Sequence, residues 1–175
     1  HVDEKWVKTY INRWLTAPIE NKTGDKRYRD GKGTPQGGVI SPLLANLFLH
    51  YSFDKWFSNK YPELSFVRYA DDIIVHCNNQ LESEKVLTAI KNRLEECKLE
   101  LNKQKTKIVY CKDANRKAKF KTVQFDFLGF SFQPRSTSTK DGKMFLGYDC
   151  SISRKSEKKI VDVFKKSKFH QWTQS

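Results

Sequence analysis

Ser65-Phe-Val-Arg-Tyr-Ala-Asp-Asp-Ile-Ile-Val-His-Cys77 places two adjacent carboxylates, Asp71 and Asp72, between two short apolar runs. Phe66-Val67 leads in and Ile73-Ile74-Val75 leads out. β-Branched and aromatic residues on both sides predict two strands, with the acidic pair at or near the turn of a hairpin. Neighbouring carboxylates repel each other. The usual relief is a hard divalent cation bound through oxygen, and Mg²⁺ suits such a pair. A carboxylate pair on a rigid hairpin tip is therefore a seat for a metal that handles phosphates.

The charge of the chain fits a phosphate-rich partner. Its 175 residues carry 33 Lys+Arg against 20 Asp+Glu, a net charge of +13, and the pI is about 9.6. A basic surface serves solubility as readily as polyanion binding. Here the distribution decides. Lys103, Lys105, Lys107, Lys112, Arg116, Lys117, Lys119 and Lys121 fall in one stretch, and Arg154, Lys155, Lys158, Lys159, Lys165, Lys166 and Lys168 in another. Tyr110, Phe120, Phe164 and Phe169 interleave with them, as on surfaces that meet phosphates and bases. Cys77, Cys97, Cys111 and Cys150 lack the spacing of a zinc knuckle or redox pair, so reduced thiols are expected. The histidines form no metal-ligand spacing. No apolar run reaches membrane-spanning length and no secretory pattern opens the chain, so a cytoplasmic location and no membrane partner are expected.

Trp6, Val7, Tyr10, Ile11, Trp14 and Leu15 recur at helical spacing, which predicts a helix over 3–16 ended by Pro18. Asn21 to Gly33 reads as a hairpin-like loop. Ser41 is a plausible N-cap with Pro42 in the first helical position, ahead of a long helix carrying Leu43, Leu44, Leu47, Phe48, Tyr51 and Phe57 that should be buried. Asn79 and Glu82 form a capping box for a helix striped by Leu87, Ile90, Leu94 and Cys97 and reaching about Leu99. Residues 106–111 read as a strand. Val123, Phe125, Phe127, Phe130 and Phe132 make two strands bent near Gly129, residues 133–143 a polar linker, and Phe145–Tyr148 a short strand. A basic amphipathic helix follows, with Ile160, Val161 and Phe164 inward. Helices packed on one sheet with local hairpins give an α+β class.

Gly37-Gly38 lets a backbone approach a ligand closely, and Gln36 offers both a donor and an acceptor beside a helix start. The bland alternative is a loop and helix cap with no ligand. The phosphate-loop pattern ending in Gly-Lys-Ser/Thr is absent.

Taken together, Pro35-Gln36-Gly37, Ser41-Pro42, a long helix and then Tyr69-Ala70-Asp71-Asp72 resemble the reverse transcriptases. Gly33-Thr-Pro-Gln-Gly-Gly-Val-Ile-Ser-Pro-Leu-Leu-Ala-Asn46 is similar to those encoded by bacterial and organellar group II introns, which also act as maturases. Leu101 to Lys107 resembles the family's lysine-bearing segment, Phe127-Leu128-Gly129-Phe130 its primer-grip turn, and Arg154 to Lys166 the start of its thumb. The resemblance implies a polymerase palm, an antiparallel sheet backed by helices, over 1–132. It implies a connector hairpin over 133–150 and the beginning of a helical thumb over 151–175. Asp71 and Asp72 would hold catalytic Mg²⁺, which Mn²⁺ can replace. Gln36, Gly37 and Lys105 would meet the incoming nucleotide. Tyr69, Ala70, Phe127, Leu128 and Gly129 would meet primer and template. On the residues alone, Lys105 is equally one lysine of a solvated run, and Phe127 to Gly129 a core strand with a bend.

The implied partners are an RNA template, intron RNA, a DNA primer and deoxynucleoside triphosphates, with an oligomer left open. The family's further catalytic aspartate and its fingers would lie upstream of His1. Asp3, Asp30 and Asp126 lack the flanks to replace that aspartate, so a palm-rich fragment inactive by itself is expected. Three alternatives stay open: an RNA-binding maturase module without polymerisation, a retron, diversity-generating or CRISPR-associated reverse transcriptase, and, more remotely, an acidic-hairpin glycosyltransferase. Viral RNA-directed RNA polymerases usually carry Gly where this chain has Ala70.

Overall fold

A computed structural model describes residues 3–20, 23–28, 33–34, 37–116 and 118–167. It divides into two compact units, residues 1–101 and 102–175.

The first unit opens with α1 (Lys5–Thr16), which stops just before Pro18 as the sequence predicts. A short antiparallel pair follows, β1 (Ile19–Glu20) with β2 (Lys26–Arg27). The long apolar helix is three pieces. α2 (Ser41–Leu49) runs into a π-helical turn (His50–Asp54) and then α3 (Lys55–Lys60). Ile40, not Ser41, stands in the capping position, and Ser41 begins the helix proper. The expectation that this whole helix is buried holds only for core-facing apolar positions from the π turn onward. Phe53 and Phe57 are fully buried, whereas Leu43, Leu47 and Phe48 are exposed. β3 (Phe66–Tyr69) and β4 (Asp72–Val75) form the predicted hairpin, and α4 (Gln80–Glu96) follows. Asn79 caps α4: the Glu82 N–H donates to its Oδ1 at 2.9 Å, and Glu82 reaches back to the Asn78 N–H at 2.6 Å.

One core holds this unit. Phe53 and Phe57 meet Leu64 and the α4 stripe of Val86, Ile90 and Leu94, and Phe66, Ile73 and Val75 of the hairpin pack against them. Phe66 lies edge-on to Phe53, with ring centroids 5.3 Å apart and planes at 89°, and it also packs 5.3 Å from Phe57. The hairpin is thus anchored by its inward face, and its turn at Ala70 and Asp71 is exposed.

The second unit is a meander of β5 (Phe125–Phe127), β6 (Phe130–Ser138) and β7 (Met144–Ile152), followed by α5 (Arg154–Ser167). The polar stretch from 133 is strand as far as Ser138. Its Ser and Thr residues pair one-to-one along β7, from Phe130 opposite Ile152 to Ser138 opposite Met144, so β7 is also longer than its apolar centre suggests. Residues 106–111 form no strand. Tyr110 N–H reaches Thr122 O at 2.9 Å, but no ladder follows. The inward face expected of α5 is exposed at Ile160, Val161 and Phe164.

The class is α+β, with helices and small antiparallel sheets. Among the described residues there are three separate sheets rather than the single one expected, because each strand pairs only with its sequence neighbour.

Candidate nucleotidyl-transfer site

The β3–β4 register places Tyr69 opposite Asp72, leaving Ala70 and Asp71 as a two-residue turn. Inward residues Phe66 and Arg68 alternate with exposed Val67 and Tyr69, so Tyr69 and its partner Asp72 share the solvent face. Tyr69 is 62% exposed. Ala70 has φ +52°, the left-handed region that a side chain adopts at a cost, here in a tight turn.

Asp71 and Asp72 are both exposed, and among the described residues neither carboxylate is ion-paired with Lys, Arg or His. The nearest arginine in sequence is committed elsewhere. Arg68 donates from Nε to Asp54 Oδ1 at 2.7 Å and from Nη2 to Asp54 Oδ2 at 2.6 Å. Its Nη1 reaches Asn46 Oδ1 and the Ala70 carbonyl, both at 2.9 Å. Both side chains of the ion pair are largely shielded, at 12% and 19% exposure. The Arg68 hydrogen bonds hold the Asp54 carboxyl below the ordinary aspartate range, against the opposing effect of its burial. His50 Nδ1 lies 3.4 Å from Asp54 Oδ2 on the same π turn.

Sequence reading missed Asp54, Asn46 and the bond to Ala70. The available signal was an arginine on the inward side of a strand, which needs an acid somewhere.

The donor chemistry fits a hard divalent ion. Mg²⁺ is commonly held by one or two carboxylates, with water and substrate phosphates completing its shell. Two unpaired aspartates at a solvent-facing tip match that pattern. Among the described residues no cluster of three His, Cys, Asp or Glu side chains exists that could hold a metal unaided.

The other sequence-predicted residues fall in different places. Gly37 lies in the loop before α2, at φ +82° with open space around it. Gln36 lies outside the described residues. Lys105 belongs to the second unit, exposed in a turn where Asn102 accepts its backbone N–H through both Oδ1 (3.2 Å) and the main-chain carbonyl (3.1 Å). Phe127 and Phe130 close a second two-residue turn in that unit, with Leu128 at φ +50° and Gly129 at φ +85°. Two successive positive φ angles are the signature of a type I′ hairpin. A Cβ on Gly129 would lie 2.8 Å from Ser156 Oγ in the first turn of α5, and Ser153 N–H bonds Gly129 O at 2.9 Å. The positive φ favours glycine there, and a Cβ would also force the Ser156 hydroxyl to shift. Asp126 is exposed and accepts from Ser131 Oγ, pointing away from the phenylalanines as its strand position predicts.

No helix among the described residues is long and apolar enough to cross a membrane.

A family model described as reverse transcriptase (RNA-dependent DNA polymerase) matches residues 1–132. Retron Se72 reverse transcriptase of Salmonella heidelberg (strain 579083-10) is 33% identical over 87 residues, covering 47% of this chain and 23% of that protein. Protein YkfC of Escherichia coli (strain K12) is 31% identical over 114 residues, covering 47% of this chain and 30% of that protein. The chain spans less than a third of the length of either relative. With the family model extending over three quarters of its residues, and a free carboxylate pair on the hairpin within the match, the chain belongs to the reverse transcriptase family.

Proposed function

We propose that the protein carrying this chain copies RNA into DNA by metal-assisted nucleotidyl transfer, with Asp71 and Asp72 as the metal-holding, catalytic side chains. The observation that supports this most strongly is the pair itself: two exposed carboxylates at a hairpin tip, with Arg68 withdrawn to Asp54. Mg²⁺, or Mn²⁺ in its place, would supply Lewis-acid activation of the primer 3′-hydroxyl and neutralise charge on the departing pyrophosphate. The chain's own residues supply the rest. Tyr69 and Ala70, both exposed, would lie beneath a primer end. Gly37, with no side chain and open space beside it, lets a nucleotide approach the backbone, and Gln36 offers hydrogen bonds to it. Lys105 contributes an exposed cation for a triphosphate. Phe127, Leu128 and Gly129 position the primer strand. In this reading residues 1–132 are the palm, 133–150 a connector and 151–175 the beginning of a thumb.

Within the family, the Gly33–Asn46 stretch favours a group II intron type whose protein also assists splicing of its intron RNA. A retron-type enzyme is the second reading, favoured by the 33% identity to a retron reverse transcriptase.

The test is primer extension by the protein expressed from its full reading frame. Incorporation of dNTPs on an RNA template, dependent on Mg²⁺ or Mn²⁺, is expected. Incorporation of rNTPs in preference to dNTPs, or none with either, would overturn the assignment. Sequencing the RNA that copurifies separates the two types: an intron enclosing the reading frame supports the first, and a short RNA without intron structure the second.

A further inference from the structure

The π turn and the arginine of the acidic hairpin belong to one device. Asn46 on α2 and Asp54 at the end of the π turn are eight residues apart, and both bind Arg68. In an unbroken α-helix, residues eight apart are rotated by about 80° around the axis and could not both face one guanidinium easily. The π turn, where the Lys55 N–H bonds His50 O five residues back, takes up one extra residue. Asn46 and Asp54 then stand as if seven apart, about 20° out of phase and so on one face. The same turn leaves Phe53 and Phe57 in the core.

Arg68 uses four of its five N–H donors in this arrangement, the fourth on the Ala70 carbonyl. Ala70 is the turn residue in the left-handed region, directly before Asp71 and Asp72. A non-glycine residue there holds a costly conformation, and a surrounding hydrogen-bond network that over-determines it keeps it in place.

We infer that Arg68, oriented by Asp54 and Asn46 across the π turn, is the positioning residue for the acidic tip: it fixes the Ala70 peptide so that Asp71 and Asp72 are presented in one geometry. The inference rests on the polymerase reading for the purpose of that geometry, but the positioning itself is measurable without activity.

Amide hydrogen exchange on the 175-residue chain is the first measurement. Arg68→Lys keeps the charge and loses the bidentate fork. It is expected to speed exchange at the amides of residues 70–73 by about tenfold or more, with the α4 amides of Val86 to Leu94 changing less than about twofold. Unchanged exchange at the hairpin overturns the inference. Should Arg68→Lys lose protection in α4 as well, Asn46→Ala decides, because it removes one exposed acceptor of Arg68 and no core atom. Acceleration confined to the hairpin supports the inference, and none overturns it. Lys91→Ala, on the outer face of α4, is the control.

The second measurement is primer extension by the protein from its full reading frame. Arg68→Lys is expected to lower kcat about tenfold or more, with the dNTP KM within about threefold, and to raise the half-saturating Mg²⁺ concentration. A loosened hairpin with normal kcat and Mg²⁺ dependence overturns the positioning role. If the unaltered protein shows no extension at all, the polymerase reading has failed, while the exchange data still report on the hairpin by themselves.

Discussion

Asp54 and Arg68 lie fourteen residues apart in the chain, yet they form the most shielded ion pair among the described residues. The acidic pair at 71 and 72 was legible in the sequence because β-forming residues flank it closely on both sides. Asp54 was not legible. Its meeting with Arg68 depends on a one-residue slip in helix phase, which hydrophobic spacing does not signal. The pair has a pH consequence. The folded Asp54 carboxyl is held below its ordinary value, so the unfolded chain takes up that proton first as pH falls. The stability it contributes is complete above about pH 4 and is lost as pH drops through the lowered folded value. Asp54→Asn is expected to cost about 1.5–3 kcal/mol at pH 7, the worth of a charged hydrogen bond. It should also flatten the acid limb of the stability curve below pH 4. Urea unfolding between pH 2 and 7 measures both.

At the scale of elements, two hairpins end in residues that turn chemistry disfavours. Ala70 and Leu128 are both left-handed, where Gly or Asn would be expected. Leu128 is half exposed, so packing does not explain it. Strain kept at a surface turn points to use of the side chain. Leu128→Asn gives the Asn-Gly pair that a type I′ turn favours. It is expected to stabilise the second unit by about 0.5–1 kcal/mol in thermal melts, while weakening primer-dependent extension by the full-length protein. Helices α1 and α4 were legible from apolar spacing and capping residues. The β6–β7 pairing was not, because its strands carry Ser, Thr, Gln and Arg whose stability comes from a partner strand rather than from burial. The exposed half of the long helix was misjudged for a related reason. Apolar residues occur all round it, but the side chains that enter the core with α4 and the β3–β4 hairpin, Phe53 and Phe57, lie in the π turn and α3.

At the scale of the molecule, the buried apolar core belongs to the first unit. Among the described residues Phe53 and Phe57 are its largest fully buried side chains. Phe53→Ala is expected to remove about 3–5 kcal/mol and with it amide protection in α4 and the hairpin. The net charge of +13 acts at the same scale. Binding of single-stranded RNA should weaken at least about tenfold between 50 and 200 mM salt if three or more phosphates are contacted, at about 0.7 in log-log slope per contact. A salt-independent affinity would remove the electrostatic reason for the basic stretches. Composition and two motifs thus carried the family and the class. The arrangement of small sheets needed coordinates, because local pairing is decided by turns rather than by charge or hydropathy.

One comparison settles whether the twin acids do the chemistry. Mg²⁺-dependent dNTP incorporation is measured for the protein from its full reading frame and for Asp71→Asn and Asp72→Asn, with RNA affinity and melting temperature matched. Each substitution is expected to lower kcat by about a hundredfold or more. Incorporation within about threefold of the unaltered protein in either variant would contradict a metal-holding role for that carboxylate.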